Sequence, residues 1–306
     1  MRLVSSLQIA FLALISMLAI GCGGPPEAVS LTPTKSRYTT DLEHQFNQAT
    51  ALLYARVGED GKYVMVCTTT AFEYTGLVYR FVTAAHCVGE DNVKTKHVEL
   101  APVDWFISFD ERGKKEFIPA KILRAGYQSR GDDFAVLEVT LDRQIPTVPV
   151  AAKDPSLGEP VCNIASPLGL GKQLFRGHVS MEQLDRPVVD EGLNWRDTTL
   201  LQISSGPGSS GSAIVSTSQG AIVAFLVGRI SNRGSSNIVS IPASKFKRFN
   251  QLVASKQYPW YDAKNAGTAE TLCGKDTAAI LRILQRVQSH TLVYKDSASL
   301  LVPLNE

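Results

Sequence analysis

The sequence predicts an all-β fold, arranged as a sandwich or as barrels. Short apolar runs alternate with turn signals such as those at 58–61 and 73–76, each of which ends in glycine. This alternation is typical of successive hairpins. Since no helical pattern interrupts the runs, strands must pack on other strands. The predicted strands span 51–57, 63–69, 77–84, 105–109, 118–123, 134–141, 161–165, 199–203, 213–215, 220–227 and 237–241.

Helical patterns begin only near Pro242, where the period of the apolar residues changes. Residues 244–254 predict a short helix with Ser244 as its N-cap. A second helix is predicted from Thr277 to about Gln288, because the apolar residues there form one stripe at helical spacing. Such a stripe is typical of a helix that docks on the β domain, and it comprises Ile280, Leu281, Ile283, Leu284 and Val287.

Composition excludes several classes of protein. The chain has 306 residues, of which 44% are hydrophobic and 20% are charged, and its formal net charge is +2. This balance is ordinary for a globular protein with a sizeable core. No run of Lys or Arg is long enough for a nucleic-acid footprint. We therefore expect no nucleic-acid partner, and the sequence predicts neither a cofactor nor a metal site.

The first 21 residues predict a secretory signal, because one arginine precedes an uncharged, mostly apolar stretch that ends in small residues. Residues 18–22 resemble a bacterial lipobox, which implies that Cys22 is lipidated and becomes the mature N-terminus. The alternative is an uncleaved anchor helix, since the stretch approaches the roughly 20 residues that span a bilayer. Both interpretations export the domain and hold it at a membrane of the cell envelope. Residues 22–40 contain several Pro, Ser and Thr residues and predict a flexible tether.

The five cysteines are interpreted in an oxidising compartment, where disulfides are permitted. If Cys22 carries lipid, four cysteines remain. Cys67 and Cys87 flank the strand-turn-strand that delivers a histidine, and we predict a disulfide between them. Cys162 and Cys273 are isolated and far apart in the sequence, so whether they pair stays open.

Three segments carry residues suited to chemistry. Residues 81–88 place His86 directly after an apolar strand, residues 131–139 place two aspartates at the start of another, and residues 206–213 place Ser210 in a glycine-rich turn. Each segment alone has a plain structural interpretation as a loop or a turn. Together they supply the base, the carboxylate and the hydroxyl that acyl transfer to serine needs.

The order and local sequences of these segments resemble the chymotrypsin-like serine peptidase superfamily, especially its bacterial secreted members. The match lies in Thr-Ala-Ala-His-Cys at 83–87, Asp-Phe-Ala-Val-Leu at 133–137 and a Gly-x-Ser-Gly core at 208–211. Taken together, the resemblance covers roughly residues 45–250.

This resemblance implies a fold and a domain organisation. We expect two six-stranded antiparallel β-barrels with the active site between them, followed by C-terminal helices. The peptidase domain would occupy 41–250, and 251–306 would form a C-terminal extension with one amphipathic helix. The implied activity is that of a serine endopeptidase acting on proteins or peptides.

Carried over position by position, the resemblance makes His86 the general acid-base, Asp133 the carboxylate that orients it, and Ser210 the nucleophile. The backbone N–H groups of Gly208 and Ser210 would form the oxyanion hole. Asp132 competes for the carboxylate role, but Asp133 directly precedes the four apolar residues that match the family's strand. The chain departs from many family members at Ser212, which leaves its branch within the superfamily open.

The primary specificity pocket is expected to have its floor near Ser204, which is small and uncharged. No Asp or Glu occurs from 198 to 247, so the pocket lacks the carboxylate that would compensate a buried Lys or Arg side chain. We expect cleavage next to a small or medium apolar residue, or next to an acidic one if Arg229 faces the pocket. Two other functions stay open: a catalytically inactive module that binds peptides, and an esterase that uses the same triad.

Overall fold

A computed structural model describes most of the chain between Thr40 and Tyr258, together with a short C-terminal strand. The described ranges are 40–57, 61–92, 97–109, 116–184, 188–190, 193–195, 197–232, 235–258 and 291–293. The predicted signal, all but the last residue of the predicted tether, and the helix predicted at 277–288 lie outside these ranges.

The first part of the chain forms a closed antiparallel barrel. Six strands pair in the order β1-β2-β3-β8-β7-β6, and β4 pairs with β5 as a separate two-stranded sheet. Alternate side chains of the barrel strands point inward, and those of Leu53, Phe81, Ile107 and Leu137 are fully buried. The strands are β1 (Thr50–Val57), β2 (Lys62–Thr75), β3 (Val78–Thr83), β4 (Gly89–Asn92), β5 (His97–Leu100), β6 (Asp104–Ser108), β7 (Ile118–Ala125) and β8 (Ala135–Thr140).

The second part forms another six-stranded antiparallel barrel. Its strands pair in the order β14-β9-β10-β13-β16-β15, and pairing of β14 with β15 closes the ring. The β17 strand adds to β15 in parallel, and β11 pairs with β12. The strands are β9 (Pro160–Ala165), β10 (Gln173–Leu184), β11 (Val188–Asp190), β12 (Leu193–Trp195), β13 (Thr198–Gln202), β14 (Ala213–Ser216), β15 (Ala221–Asn232), β16 (Ser235–Pro242) and β17 (Thr291–Val293).

The predicted chymotrypsin-like fold, with two six-stranded antiparallel barrels and a C-terminal helix, is thus confirmed. The helix spans Ala243–Ala254. Among the residues that the structure describes, no helix is both long enough and apolar enough to cross a bilayer.

Two α-helices flank the barrels within the described ranges. The first, α1 (Asp41–Ala49), precedes β1 and was not predicted; the side chain of Thr40 caps it by accepting a hydrogen bond from the backbone N–H of Glu43 (3.2 Å). The second, α2 (Ala243–Ala254), agrees with the helix predicted at 244–254.

The predicted N-cap of α2 was wrong. The helix begins one residue earlier, after Pro242, and Ser244 lies inside its first turn. The backbone N–H and the hydroxyl of Ser244 both donate to the carboxylate of Asp154, at 2.9 and 2.6 Å. The acceptor for this helix end therefore comes from a distant part of the chain, which a local sequence pattern does not reveal.

An aromatic cluster joins the first barrel, the second barrel and α2. The ring of Phe134, directly before β8, lies 5.6 Å from that of Phe225 on β15 and 5.2 Å from that of Phe246 on α2. The rings of Phe225 and Phe246 are 4.9 Å apart, and Phe249 packs on the same group. All four side chains are buried. Because Phe134 directly follows Asp133, this packing also holds the backbone that carries the candidate carboxylate.

Candidate active site

His86 lies in a short 3₁₀ turn, Ala85–Cys87, directly after β3, and its side chain is fully buried. The predicted disulfide between Cys67 and Cys87 is present, with the two Cα atoms 6.2 Å apart. Since Cys67 lies on β2, the bond ties the histidine turn to the neighbouring strand. The turn that carries His86 is therefore held by β3 on its N-terminal side and by the disulfide at Cys87 on its C-terminal side.

Asp133 meets His86 because their strands are neighbours. Strands β3 and β8 pair antiparallel with Thr83 opposite Ala135, so the end of β3 and the start of β8 lie together. The Oδ1 atom of Asp133 accepts a hydrogen bond from the backbone N–H of His86 (2.9 Å), and its Oδ2 atom lies 2.7 Å from Nδ1 of the ring. Both side chains are fully buried.

This contact assigns the protons of the imidazole. An ionised carboxylate only accepts hydrogen bonds, so Nδ1 of His86 is the protonated nitrogen and Nε2 carries the lone pair in the neutral ring. A buried carboxylate that accepts two hydrogen bonds fixes both the tautomer and the orientation of the ring. The pair can therefore act as an oriented base.

Asp132 has different partners. Its Oδ2 atom accepts a hydrogen bond from the hydroxyl of Tyr258 (2.9 Å), which in turn accepts one from the backbone N–H of Tyr127 (2.9 Å). Burial raises the pKa of Asp132, and the Tyr258 hydrogen bond opposes that rise. Of the two neighbouring aspartates, Asp133 is the one that contacts the histidine.

Ser210 lies in a tight turn between β13 and β14 and is 4% exposed. Gly211, the next residue, has a φ of +78°, and a Cβ at this position would lie 2.1 Å from Oγ1 of Thr83 and 2.5 Å from the backbone nitrogen of Ala84. Only glycine permits so close an approach. The serine turn, which is the glycine-rich turn at residues 206–213, therefore packs directly on the segment that leads from β3 to His86.

Gly208 has a φ of +92°, in the region that favours glycine. A Cβ there would lie 2.7 Å from the carbonyl oxygen of Ser166. The backbone N–H groups of Gly208 and Ser210 lie in the same tight turn, and the resemblance implies that they are the two donors of an oxyanion hole.

The predicted specificity residues lie on or next to strands of the second barrel. Ser204 follows β13 and precedes the serine turn, and its side chain is exposed. Arg229 is half-buried on β15, opposite Ile238 of β16. Their roles in specificity stay predictions.

Metal-binding potential is small in the described part of the chain. There, the group of His, Cys, Asp or Glu side chains close enough to share an ion is Cys67, His86 and Cys87, whose ligand atoms lie within 4.8 Å of one another. The two sulfur atoms form the disulfide, so they do not offer thiolate ligands. Cys162 is a buried free thiol whose pKa burial raises to about 12, and Cys273 lies outside the described residues.

Sequence reasoning missed two residues at this site. Tyr258 holds the loop before Asp133, and Thr68 makes several contacts with the serine turn. The signal for Thr68 was weak: it follows Cys67 in a predicted buried strand, where a hydroxyl needs a hydrogen-bond partner. Nothing in the local sequence identifies what that partner is.

Two closed antiparallel barrels, with a buried histidine–aspartate pair beside a glycine-rich serine turn, define the class of chymotrypsin-like proteins. The trypsin-like peptidase domain family matches residues 67–225, just over half of the chain. The chain belongs to this family.

Solved structures agree with the fold. The structure titled "HtrA-type protease AlgW with tripeptide" is similar, with a TM-score of 0.52 and 17% sequence identity. The similarity covers 71% of this chain and 64% of that one, so the chain spans less than two thirds of the other's length. At this identity the likeness shows the fold alone. No curated protein matches the sequence.

Proposed function

We propose that the protein is a serine endopeptidase with His86 as general acid-base, Asp133 as its orienting carboxylate and Ser210 as nucleophile. The observation that carries the proposal is the buried pair of His86 and Asp133, joined by two hydrogen bonds at 2.7 and 2.9 Å. The serine turn packs on the segment that precedes His86, through the close approach of Gly211 to Thr83. Membership of the peptidase family supports the same assignment.

In the proposed reaction, Ser210 Oγ attacks the carbonyl carbon of the scissile peptide bond while Nε2 of His86 takes its proton. Asp133 stabilises the imidazolium that forms, and the N–H groups of Gly208 and Ser210 donate to the developing oxyanion. The intermediate collapses when His86 returns the proton to the leaving amine, which leaves an acyl group on Ser210. A water molecule, deprotonated by His86, then hydrolyses this ester and regenerates the serine.

Peptides are the proposed substrates. The neighbouring HtrA-type structure contains a tripeptide, and an extended peptide can add to a sheet edge by backbone pairing. The absence of Asp and Glu between 198 and 247 disfavours Lys or Arg next to the cleaved bond. The proposed preference is a small or medium apolar residue, or an acidic one if Arg229 faces the pocket. Ser204 is the proposed residue at the floor of the pocket.

Active-site labelling tests the nucleophile. A fluorophosphonate should react with the wild type, and mass spectrometry should locate the adduct on Ser210. The Ser210→Ala variant should fold with an unchanged melting temperature, fail to react, and lose cleavage of a peptide library. Ser212→Ala is the matched control in the same turn, since the Ser212 hydroxyl accepts a hydrogen bond from Asn163 (2.7 Å).

Three outcomes separate the proposal from its alternatives. Undiminished cleavage by Ser210→Ala would refute the nucleophile. A wild type that reacts with the probe and hydrolyses esters but no peptides would indicate an esterase. A folded wild type that binds peptides and neither reacts nor cleaves would indicate an inactive binding module.

We also propose that the domain is exported and held at a membrane of the cell envelope by a lipid on Cys22, on its periplasmic or extracellular face. The support is the lipobox-like segment at 18–22 and the polar tether that follows it. Cys22→Ser should prevent incorporation of a labelled fatty acid and move the protein from the membrane fraction to the soluble fraction. Cys273→Ser is the control for loss of a cysteine, and equal membrane retention of both variants would refute the lipid anchor.

A further inference from the structure

Thr68 lies on β2, is fully buried, and uses each of its polar groups at the serine turn or beside it. Its backbone N–H donates to the carbonyl of Ser210 (3.1 Å), and its hydroxyl donates to the carbonyl of Gly208 (2.9 Å). The same hydroxyl accepts from the N–H of Ser166 (3.2 Å), and the Thr68 carbonyl accepts from the hydroxyl of Thr83 (2.9 Å). One residue of the first barrel therefore contacts the serine turn at two carbonyls.

A second contact holds the peptide bond before Gly208. The carbonyl of Pro207 accepts a hydrogen bond from the N–H of Leu168 (2.6 Å). Because the N–H and C=O of a trans peptide point in opposite directions, this contact turns the N–H of Gly208 away from Leu168. The two carbonyls on either side of Gly208 are thus fixed, one by Leu168 and the other by Thr68.

This double restraint matters because Gly208 is a glycine with a φ of +92°. Glycine adopts positive and negative φ almost equally well, so an unrestrained peptide at this position rotates at little cost. An oxyanion hole works only if its donors point at the oxyanion before the reaction begins. The orientation of the Gly208 N–H must therefore come from contacts outside the glycine.

We infer that Thr68 is a positioning residue that sets the oxyanion hole of the proposed peptidase, by holding the carbonyls of Gly208 and Ser210. The inference rests on the proposed function, since it assigns Thr68 a role in that same reaction. Thr68 touches neither the substrate nor the reacting atoms. It acts on the peptide bond that follows Gly208. Because Leu168 holds the preceding peptide, holding this one as well fixes the φ and ψ of Gly208, and with them the direction of its N–H relative to Ser210.

Loss of the Thr68 hydroxyl should therefore slow the chemical step and leave substrate binding intact. The donors of an oxyanion hole act more strongly on the transition state than on the bound substrate, so kcat falls while KM stays near its original value. Loss of a donor costs about 100- to 1,000-fold in kcat. For a donor that is misdirected rather than removed, we expect a fall of about 10- to 100-fold.

The experiment compares Thr68→Val, Thr68→Ser and Thr69→Val in the full chain. Val keeps the shape of threonine and removes the hydroxyl, whereas Ser keeps the hydroxyl and should restore activity. Thr69 is the matched control: it is the next residue, is equally buried, and its hydroxyl donates to the carbonyl of Val82 (2.9 Å), away from the serine turn. Thr68→Ala is the second variant if Thr68→Val does not fold.

Three measurements are made on each folded variant: kcat and KM on one peptide substrate, the second-order rate of labelling by a fluorophosphonate, and the melting temperature. Thr68→Val should lose about 10- to 100-fold in kcat and in labelling rate with KM within about twofold. Thr69→Val should keep the wild-type kcat and labelling rate, even if its melting temperature falls by as much as that of Thr68→Val.

Different results would refute the role of Thr68 and the proposed peptidase function. An active wild type with an equally active Thr68→Val variant would overturn the role of Thr68 alone. An equal loss of kcat in Thr69→Val would do the same, because it would reduce the effect to lost stability. A folded wild type that neither cleaves peptides nor reacts with the probe would overturn the proposed function, and the role of Thr68 with it.

Discussion

Asp132 and Asp133 are neighbours in the sequence, yet their carboxylates meet different partners. Both precede β8, in a segment where the backbone turns and the N–H of Phe134 donates to the carbonyl of Asp132 (2.8 Å). Asp133 contacts His86, whereas Asp132 contacts Tyr258. The sequence favoured Asp133 only through its position before an apolar strand. The structure adds that Asp132 is half-buried and accepts a hydrogen bond from the hydroxyl of Tyr258.

The two aspartates should respond differently to the same substitution. Asp133→Asn should lower kcat by about four orders of magnitude, because an amide no longer holds His86 in the tautomer that leaves Nε2 as the base. Asp132→Asn should have a far smaller effect, since its side chain contacts Tyr258 instead. Steady-state kinetics on one peptide substrate would measure both. The reverse ranking would assign the carboxylate role to Asp132.

The stability contribution of Asp132 should depend on pH. Burial raises its pKa above the ordinary value of 3.8, so the folded state retains this proton to a higher pH than the unfolded state does. The free energy of unfolding therefore falls as the pH rises from 3.8 through the raised folded-state pKa, despite the opposing charges of Lys245 and Arg248.

Urea unfolding of the wild type and of Asp132→Asn at several pH values would test this dependence. Because the amide does not titrate, the stability of Asp132→Asn relative to the wild type should be higher at pH about 7 than at pH about 3. A difference between the two proteins that stays constant across this range would contradict the prediction.

The sequence points to the candidate chemical residues more directly than to the residues that position them. His86, Asp133 and Ser210 each stand in a short local pattern with a known chemical use. Thr68 and Gly208 are 140 residues apart, and their contact exists only once both barrels have formed. No pattern within either segment reports such a contact.

Among the elements, strands rich in buried apolar residues, such as β1, β9 and β14, were predictable, whereas β10 and α1 were not. Strand β10 was missed because its sequence shows no clear alternation of apolar and polar residues. Of its 12 residues, Val179 alone is buried. Helix α1 was missed for a related reason. Its buried positions are Glu43, Phe46 and Ala49, and a glutamate interrupts the apolar stripe.

Strand β10 and helix α1, both missed by the sequence analysis, contact each other. Arg176 on β10 donates to both carboxylate oxygens of Glu43 on α1, each at 2.8 Å. Lys172 donates to the carbonyls of Asn47 and Thr50, at the end of α1 and the start of β1. A buried charge needs a partner, and here the partner lies 133 residues away. The two elements therefore form a unit that local patterns do not predict.

The disulfide between Cys67 and Cys87 should stabilise the hairpin that carries His86. The two cysteines are 20 residues apart, and in the chain-entropy model a loop of this size contributes about 3 kcal/mol to the free energy of unfolding. Mass spectrometry under non-reducing conditions should find the two cysteine peptides linked. Urea unfolding of Cys67→Ala/Cys87→Ala should show a loss of at least about 3 kcal/mol. Two free thiols in the native protein would contradict the prediction.

The candidate site exists only where the two barrels meet. The first barrel supplies His86 and Asp133, and the second supplies Ser210. Tyr258, which holds the loop before Asp133, belongs to the segment that the sequence assigns to a C-terminal extension. Resemblance to a family predicted the two barrels, whereas the contacts between them depend on packing across distant segments.

The residue before Ser210 in the serine turn indicates whether the proposed enzyme needs a new N-terminus to become active. In many digestive relatives, the resemblance implies, a new N-terminal ammonium inserts and pairs with an aspartate just before the nucleophilic serine. Here that position is Ser209, which is fully buried; its N–H donates to the carbonyl of Gly206 (3.0 Å), and its hydroxyl accepts from the Gly206 N–H (3.4 Å). A neutral hydroxyl does not compensate a buried ammonium, so inserting one would leave a costly unpaired charge.

We therefore expect the oxyanion hole to form without proteolytic activation. Neutral hydrogen bonds from Thr68 and Leu168 already fix the carbonyls beside Gly208, and the proposed mature N-terminus is an acylated cysteine that has no free ammonium. A truncated protein that begins near Asp41 and carries an N-terminal tag should be as active, when purified, as one from which the tag has been trimmed. Both would be assayed on the same peptide substrate. Activity that appears only after trimming would show that a free N-terminus is needed after all, and that the hydrogen bonds of the turn do not suffice.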